Sequence, residues 1–177
     1  PHSCGVLSFS RILMPIMAKK RYSVLVERGR TKEQVENMKR IKKDKVDPFE
    51  WKHFTTYHRE PILRKGKYWL VSPNDFPYEG TKLHLLLVYK DAVKYPSQTN
   101  PKAWSELQEH VAWIEKKYRL EGGMLAMRFG EPENTGGSVD HLHLHIIVGD
   151  KKKTSSAKKL RIVAGYEVPE KKKRRAK

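Results

Sequence analysis

The chain has a single cysteine, Cys4, in 177 residues. That excludes an internal disulfide framework and a zinc knuckle built from paired cysteines. It fits a reducing compartment, so the cytoplasm is the expected location, or the nucleus in a eukaryote. No apolar run approaches the roughly 18 residues needed to cross a bilayer, and no membrane partner is expected. Acids are also scarce: 20 Asp and Glu stand against 37 Lys and Arg, for a net charge of +17. No internal repeat is present. The length suits one domain with a proper hydrophobic core.

The positive charge is unevenly placed. Residues 151–177 carry a net +10 and residues 1–47 a net +7, while residues 48–150 are neutral. A neutral body, 48–150, is therefore expected between a partly helical basic arm, 1–47, and a basic tail, 151–177. Such arms can hold nucleic acid or another polyanion, or can be solvated ends that raise solubility. The first residue is Pro1, and Met17-Ala18-Lys19-Lys20 resembles a natural beginning, so residues 1–16 are expected to be non-native. Val6 to Met17 is somewhat apolar, but Arg11 interrupts it and no small-residue cleavage site follows, so it is not read as a secretory signal.

The pattern of apolar residues and turn formers predicts the elements. Tyr22 to Val26 reads as a short strand, and Thr31 to Lys43 as a charged, loosely docked helix with Thr31 as N-cap. Two short strands flank the turn Lys65-Gly66-Lys67, and a loop runs from Ser72 to Gly80. Leu83 to Tyr89 is almost unbroken in apolar character and reads as a central strand buried on both faces. Asn100-Pro101 opens a helix with an apolar stripe at Trp104, Leu107, Val111, Ile114 and Tyr118. His110 on that helix reads as a surface or boundary residue, and Gly122-Gly123 as the stop. Strands at Met124 to Phe129 and His141 to Val148 follow, joined by a glycine loop, with a last short strand at Leu160 to Val163. The expected fold is α+β: an antiparallel sheet of about five strands with one main helix across it.

The most informative run is His141-Leu142-His143-Leu144-His145-Ile146-Ile147. In a strand every second side chain shares a face, so the three imidazoles form one row. Imidazole suits nucleophilic, acid or base work near neutral pH. The alternation by itself also fits a metal site or the wet face of an amphipathic strand. The nearest acids, Asp140 and Asp150, do not share its spacing. The loop Asn134-Thr135-Gly136-Gly137-Ser138 lies just upstream, where backbone can approach a phosphate closely.

The run resembles the His-Φ-His-Φ-His-Φ-Φ signature of the histidine-triad (HIT) superfamily, Φ being apolar, at all seven positions. Asn74-Asp75-Phe76-Pro77-Tyr78-Glu79-Gly80 is similar to the Asn-x-Phe-Pro-Tyr-x-x-Gly stretch of its diadenosine-polyphosphate phosphorylase- and hydrolase-like members. His84-Leu85-Leu86-Leu87-Val88 resembles the strand that follows there. The resemblance implies a HIT-like fold and a nucleotidyl hydrolase or transferase. His143 would be the nucleophile that carries a nucleotidyl intermediate. His145 would contact the phosphate and help protonate the leaving group, and His141 would orient the nucleophile. Gly136, Gly137 and Ser138 would bind phosphate and Asn74 the ribose, while His84 falls at a family position near the triad. Two positions depart from the pattern: Gly137 stands where many hydrolases have Gln, and Arg128 where Asn is common, so Arg128 becomes a candidate phosphate ligand.

The implied substrate is a small purine nucleotide, either a dinucleoside polyphosphate or a nucleoside phosphoramidate. The chemistry requires no metal or other cofactor, although polyphosphate substrates often arrive with Mg²⁺. The family analogy implies a homodimer. Two alternatives use the basic arms: aprataxin-like removal of 5′-adenylate from nucleic acid, and a nucleotide- or RNA-binding module without turnover. The first is weakened because one cysteine cannot build the zinc module that usually accompanies it.

Overall fold

In the computed structural model, the described residues are 24–153 together with Leu160, Ile162 and Gly165. Five strands form one antiparallel sheet: β1 (Arg64–Lys65), β2 (Trp69–Pro73), β3 (Thr81–Tyr89), β4 (Met124–Arg128) and β5 (His143–Gly149). Their order is β1-β2-β3-β5-β4, so the apolar β3 is central, as expected. Its register sets Val88 opposite His143 and Leu86 opposite His145. Four helices accompany the sheet: α1 (Lys32–Asp44), α2 (Trp51–Tyr57), α3 (Lys102–Tyr118) and the four-residue α4 (Pro132–Thr135).

One face of the sheet is closed by α3. Leu107 and Ile114 pack there with Trp69, Leu85, Leu87, Leu142, Leu144 and Ile146. Each large side chain so buried contributes about 1.5–3 kcal/mol. The Trp69 indole N–H donates to the Ala103 carbonyl at 2.8 Å, fixing the helix on the strand. The predicted stripe needs two corrections. Trp104 is exposed, and its place on the inward face is taken by Ala103, which is small enough for close approach. His110, predicted at the surface, is buried beside Glu106, and burial followed by the charge of Arg64 pushes its pKa down. The helix stops at Arg119, which adopts the left-handed conformation, before the predicted Gly122-Gly123.

The opposite face is covered as well. Phe54 of α2 packs on Leu70, Leu86 and Val88, while Met38 and Ile41 of α1 pack with Val24. The helix of the basic segment was expected to be loosely docked. Instead Met38 and Ile41 are buried, and α1 forms part of a third layer. Thr31 caps it as predicted, its hydroxyl accepting from the Gln34 N–H at 3.1 Å. The strand predicted at Tyr22 to Val26 survives, among the described residues, as a bridge from Val24 to Val139, followed by a 3₁₀ turn at Val26–Arg28. Residues 1–16 lie outside the described residues, as do Arg161 and Val163 of the strand predicted at Leu160 to Val163. Leu160 and Ile162 are not in a strand.

The turn after β1 is held from α3 by Glu106. The Glu106 carboxylate of α3 accepts the backbone N–H groups of Lys67, Tyr68 and Trp69 at 2.8–3.2 Å. Burial opposes its ionisation, but these three donors outweigh it and keep the carboxyl below its usual pKa. A Cβ on Gly66 would stand 2.2 Å from Glu106 Oε1 and 2.7 Å from His110 Nε2. Gly66→Ala is therefore expected to lower stability by about 1–3 kcal/mol in urea unfolding, as overpacking does. A neutral result would show that Glu106 does not hold the turn.

Candidate active site

The face of the sheet under α1 and α2 carries the histidines. His143 and His145 point the same way from β5, with ring centroids 4.9 Å apart. Leu144 and Ile146 point into the core beneath α3. His141 departs from the predicted row, since it sits in a bend before β5 rather than on the strand. Its ring is buried, with Nδ1 2.7 Å from the Asp47 carboxylate and Nε2 against the Tyr89 carbonyl. Both nitrogens face acceptors, the Asp47 carboxylate on one side and the Tyr89 carbonyl on the other.

Backbone groups fix the other tautomers. The His143 Nδ1–H donates to the His141 carbonyl at 2.6 Å, leaving Nε2 with its lone pair. Burial pushes the His143 pKa down to about 4, with the His141 charge adding to the effect, so the ring is neutral at pH 7. The Tyr78 N–H donates to His84 Nδ1 at 3.1 Å, so the neutral His84 proton sits on Nε2. That nitrogen lies 2.9 Å from His145 Nδ1. His145 therefore accepts through Nδ1 and carries its own proton on Nε2. Burial, reinforced by the neighbouring His143 and His84, holds the His145 pKa well below the ordinary value. The His84 ring stacks on Tyr78 at 4.7 Å, and burial lowers its pKa to about 4. The site therefore holds a bare nitrogen on His143 beside a proton on His145.

A cavity of about 690 Å³ opens over these rings, within the range that accepts a nucleotide-sized ligand. His143, His145, Asn74, Arg128, Gly136, Gly137 and Ser138 all line it. The loop N–H groups are less available than predicted. Gly136 N–H donates to the Pro132 carbonyl and Gly137 N–H to the Thr135 hydroxyl, because the loop is wound into α4. Ser138 is the loop position not engaged in this way among the described residues. Gly136 must be glycine, since its φ is +71° and a Cβ would stand 2.1 Å from the Gly165 carbonyl oxygen. Asn74 shapes its own turn through Oδ1, which accepts the Phe76 N–H at 2.9 Å, while its Nδ2 lies 3.0 Å from His84 Nε2.

Several residues of this face were not anticipated. Arg28, Arg30, Gln34, Met38 and Ile41 form a wall of the cavity, although their segment reads as a solvated arm in sequence. The Phe49 ring stands edge-on, 5.0 Å from His143. His58, Ser72 and Asp75 form a buried chain, with His58 Nε2 2.8 Å from Ser72 Oγ and Nδ1 3.3 Å from Asp75. This is a brace rather than a second nucleophile: Ser72 is fully buried, and its hydroxyl donates to the Pro61 carbonyl. Asp47 carried no signal beyond its place before Pro48. Among the described residues, no group of three or more His, Cys, Asp and Glu is placed to hold a metal ion.

The family model of the HIT domain matches residues 66–152, the stretch that holds the sheet, α3 and the histidine row. The chain belongs to the histidine-triad superfamily. That superfamily includes nucleotide hydrolases and transferases, and non-catalytic members as well. Similar solved structures include a HIT-like protein at 21% identity, covering 59% of this chain and all of that one, with a TM-score of 0.49. A histidine triad protein from Clostridium difficile is 20% identical over 55% of this chain and 85% of that one, with a TM-score of 0.45. A diadenosine triphosphate hydrolase from Plasmodium falciparum is 21% identical over 54% of this chain and 65% of that one, with a TM-score of 0.43. A comparison with curated proteins finds no match. The triad wall contributed by residues before 66 lies outside the HIT match.

Two predictions follow from the buried rings. His84 and His143 have folded pKa values near 4, below the 6.5 of an unfolded imidazole. Between these values the unfolded chain binds more protons, so stability falls as pH drops from about 6.5 towards 4. Urea unfolding across that range should show the decline, and the His143 ring signals in NMR should stay neutral at pH 6. Removing Asp47 leaves the buried His141 Nδ1 without its partner, so Asp47→Ala should cost about 1–3 kcal/mol in urea unfolding. A change under about 0.5 kcal/mol would mean that this contact does not hold the ring.

Proposed function

We infer that this protein is a nucleotidyl hydrolase or transferase that cleaves a purine nucleotide at its α-phosphorus. The observation that carries the reading is the opposed pair of tautomers: a lone pair on His143 Nε2, fixed by the His141 carbonyl, and a proton on His145 Nε2, fixed through His84. The nucleophile and the acid are neutral at pH 7 and stand side by side.

In this reaction His143 Nε2 forms a bond to phosphorus as the P–O or P–N bond to the leaving group breaks. The electron pair goes to the leaving group, which accepts a hydrogen bond from His145 Nε2–H as it departs, a phosphate as its anion and an amine with a proton taken from solvent. The phosphorylated His143 ring is now cationic, and its Nδ1–H bond to the His141 carbonyl strengthens. Water then attacks phosphorus and loses a proton to solvent, and the P–N bond breaks to return neutral His143 and release a nucleoside monophosphate. In a phosphorolytic enzyme inorganic phosphate takes the place of water. Ser138 and Arg128 line the cavity where phosphate oxygens would lie, and Phe49 shields His143. Any Mg²⁺ on a polyphosphate would enter with the substrate.

The test is a product assay across diadenosine polyphosphates, adenosine phosphoramidate and 5′-adenylated DNA. Nucleoside monophosphate release is expected from one of these, with an acid-labile nucleotidyl adduct trapped on His143. His143→Ala should lower kcat by at least about 10⁴-fold, as loss of a nucleophile does. Normal turnover by that variant would remove His143 from this role.

A further inference from the structure

The cavity has a charge imbalance that the attack on one phosphorus does not use. Three guanidinium groups line it, Arg28 and Arg30 from the segment before α1 and Arg128 from β4. The carboxylates in the same lining are Glu27 and Asp75. Asp75 is committed to the backbone N–H groups of Arg59 and Glu60 and to His58. Among the described residues no carboxylate forms an ion pair with Arg28 or Arg30.

These side chains are held in place. The Arg30 guanidinium lies 4.2 Å over the Tyr78 ring and donates to the Phe76 carbonyl, while its backbone N–H donates to Gln34. The residue as a whole is exposed, but its guanidinium is partly desolvated against Tyr78, which lowers its pKa and strengthens its pull on an anion. Tyr78 in turn stands 6.2 Å from His145, the proton donor. Arg28 reaches the glycine loop, its Nη1 3.8 Å from where a Cβ on Gly136 would stand. Arg128 passes the same loop, its Cδ 3.8 Å from the corresponding point on Gly137. The cations therefore flank the two reacting histidines, at the acid on one side and at the loop on the other.

We propose that Arg28 and Arg30 build, with Arg128, an anion subsite for the leaving group, so that the preferred substrate is a nucleotide whose leaving group carries several phosphates. In a 5′-nucleotide attacked at the α-phosphorus, every other phosphate of the chain belongs to the leaving group. An amine leaving group would present no charge to the guanidiniums. The proposal rests on the assignment of His143 as nucleophile, and it deepens that reading by separating the polyphosphate from the phosphoramidate class. It also gives the basic segment before α1 a place in the site rather than in solvent.

The experiment compares kcat/KM for diadenosine tetraphosphate and adenosine phosphoramidate in the full chain and in Arg28→Gln, Arg30→Gln and the double variant. Each substitution should lower the ratio of the two values by about 10- to 100-fold, the worth of a charge-assisted hydrogen bond. Arg30→Lys, which keeps the charge, should recover part of the loss. Calorimetric binding of inorganic tripolyphosphate should weaken at least about tenfold in the double variant and in 0.5 M salt, where screening is strong. A ratio that does not change, or a phosphoramidate preference in the wild type, would overturn the subsite while leaving the nucleophile standing. If the wild type cleaves neither substrate, the proposed reaction fails, and tripolyphosphate binding alone decides the subsite: arginine-dependent binding supports it, and arginine-independent or absent binding overturns it. Thermal melts exclude misfolding as the cause.

Discussion

The contact between Asp47 and His141 holds the site together. A carboxylate and an imidazole, both nearly closed to water, meet at 2.7 Å and join the segment before α2 to the residue that precedes β5. Neither group is tolerable there without the other, because an unpaired buried charge costs several kcal/mol. The Tyr89 carbonyl holds the second ring nitrogen, so the ring also pins the end of β3. His141 is thereby fixed in position, and its own carbonyl is the acceptor that sets the His143 tautomer. One buried carboxylate–imidazole contact thus orients a nitrogen it never touches.

Tautomer control elsewhere in the site also comes from backbone. The Tyr78 N–H sets His84, His84 sets His145, and the result is an alternation of donor and acceptor along the rings. Burial keeps these rings neutral, which leaves His143 Nε2 its lone pair. The arginines act in the same direction, since each disfavours a further proton nearby. Charge is tolerated at the rim of the cavity and disfavoured on His143 and His145.

The sequence made the sheet and α3 readable because their signals are local. The unbroken apolar run of β3 and the turn at Gly66 each say what they form. The histidine alternation is local as well, and the family resemblance it carries is the one that the HIT match supports. The third layer was harder to see. Val35, Met38 and Ile41 are three apolar residues in a helix of charges, too few to mark a buried face, yet Met38 and Ile41 are covered. Asp47 gave no pattern at all, since its partner is 94 positions away. His110 was misjudged because helical spacing does not reveal what an adjacent turn brings against it. The arginines of the wall looked like solubility charge, and only the path of the chain over the sheet places them at the cavity.

The match to the HIT domain begins at residue 66, yet the cavity is roofed by residues that come before it. The matched part and the enclosed part are therefore different lengths of chain. The histidine face of the sheet is covered by a segment that the matched domain does not contain. The strand holds the histidines, and the cover sets what can reach them.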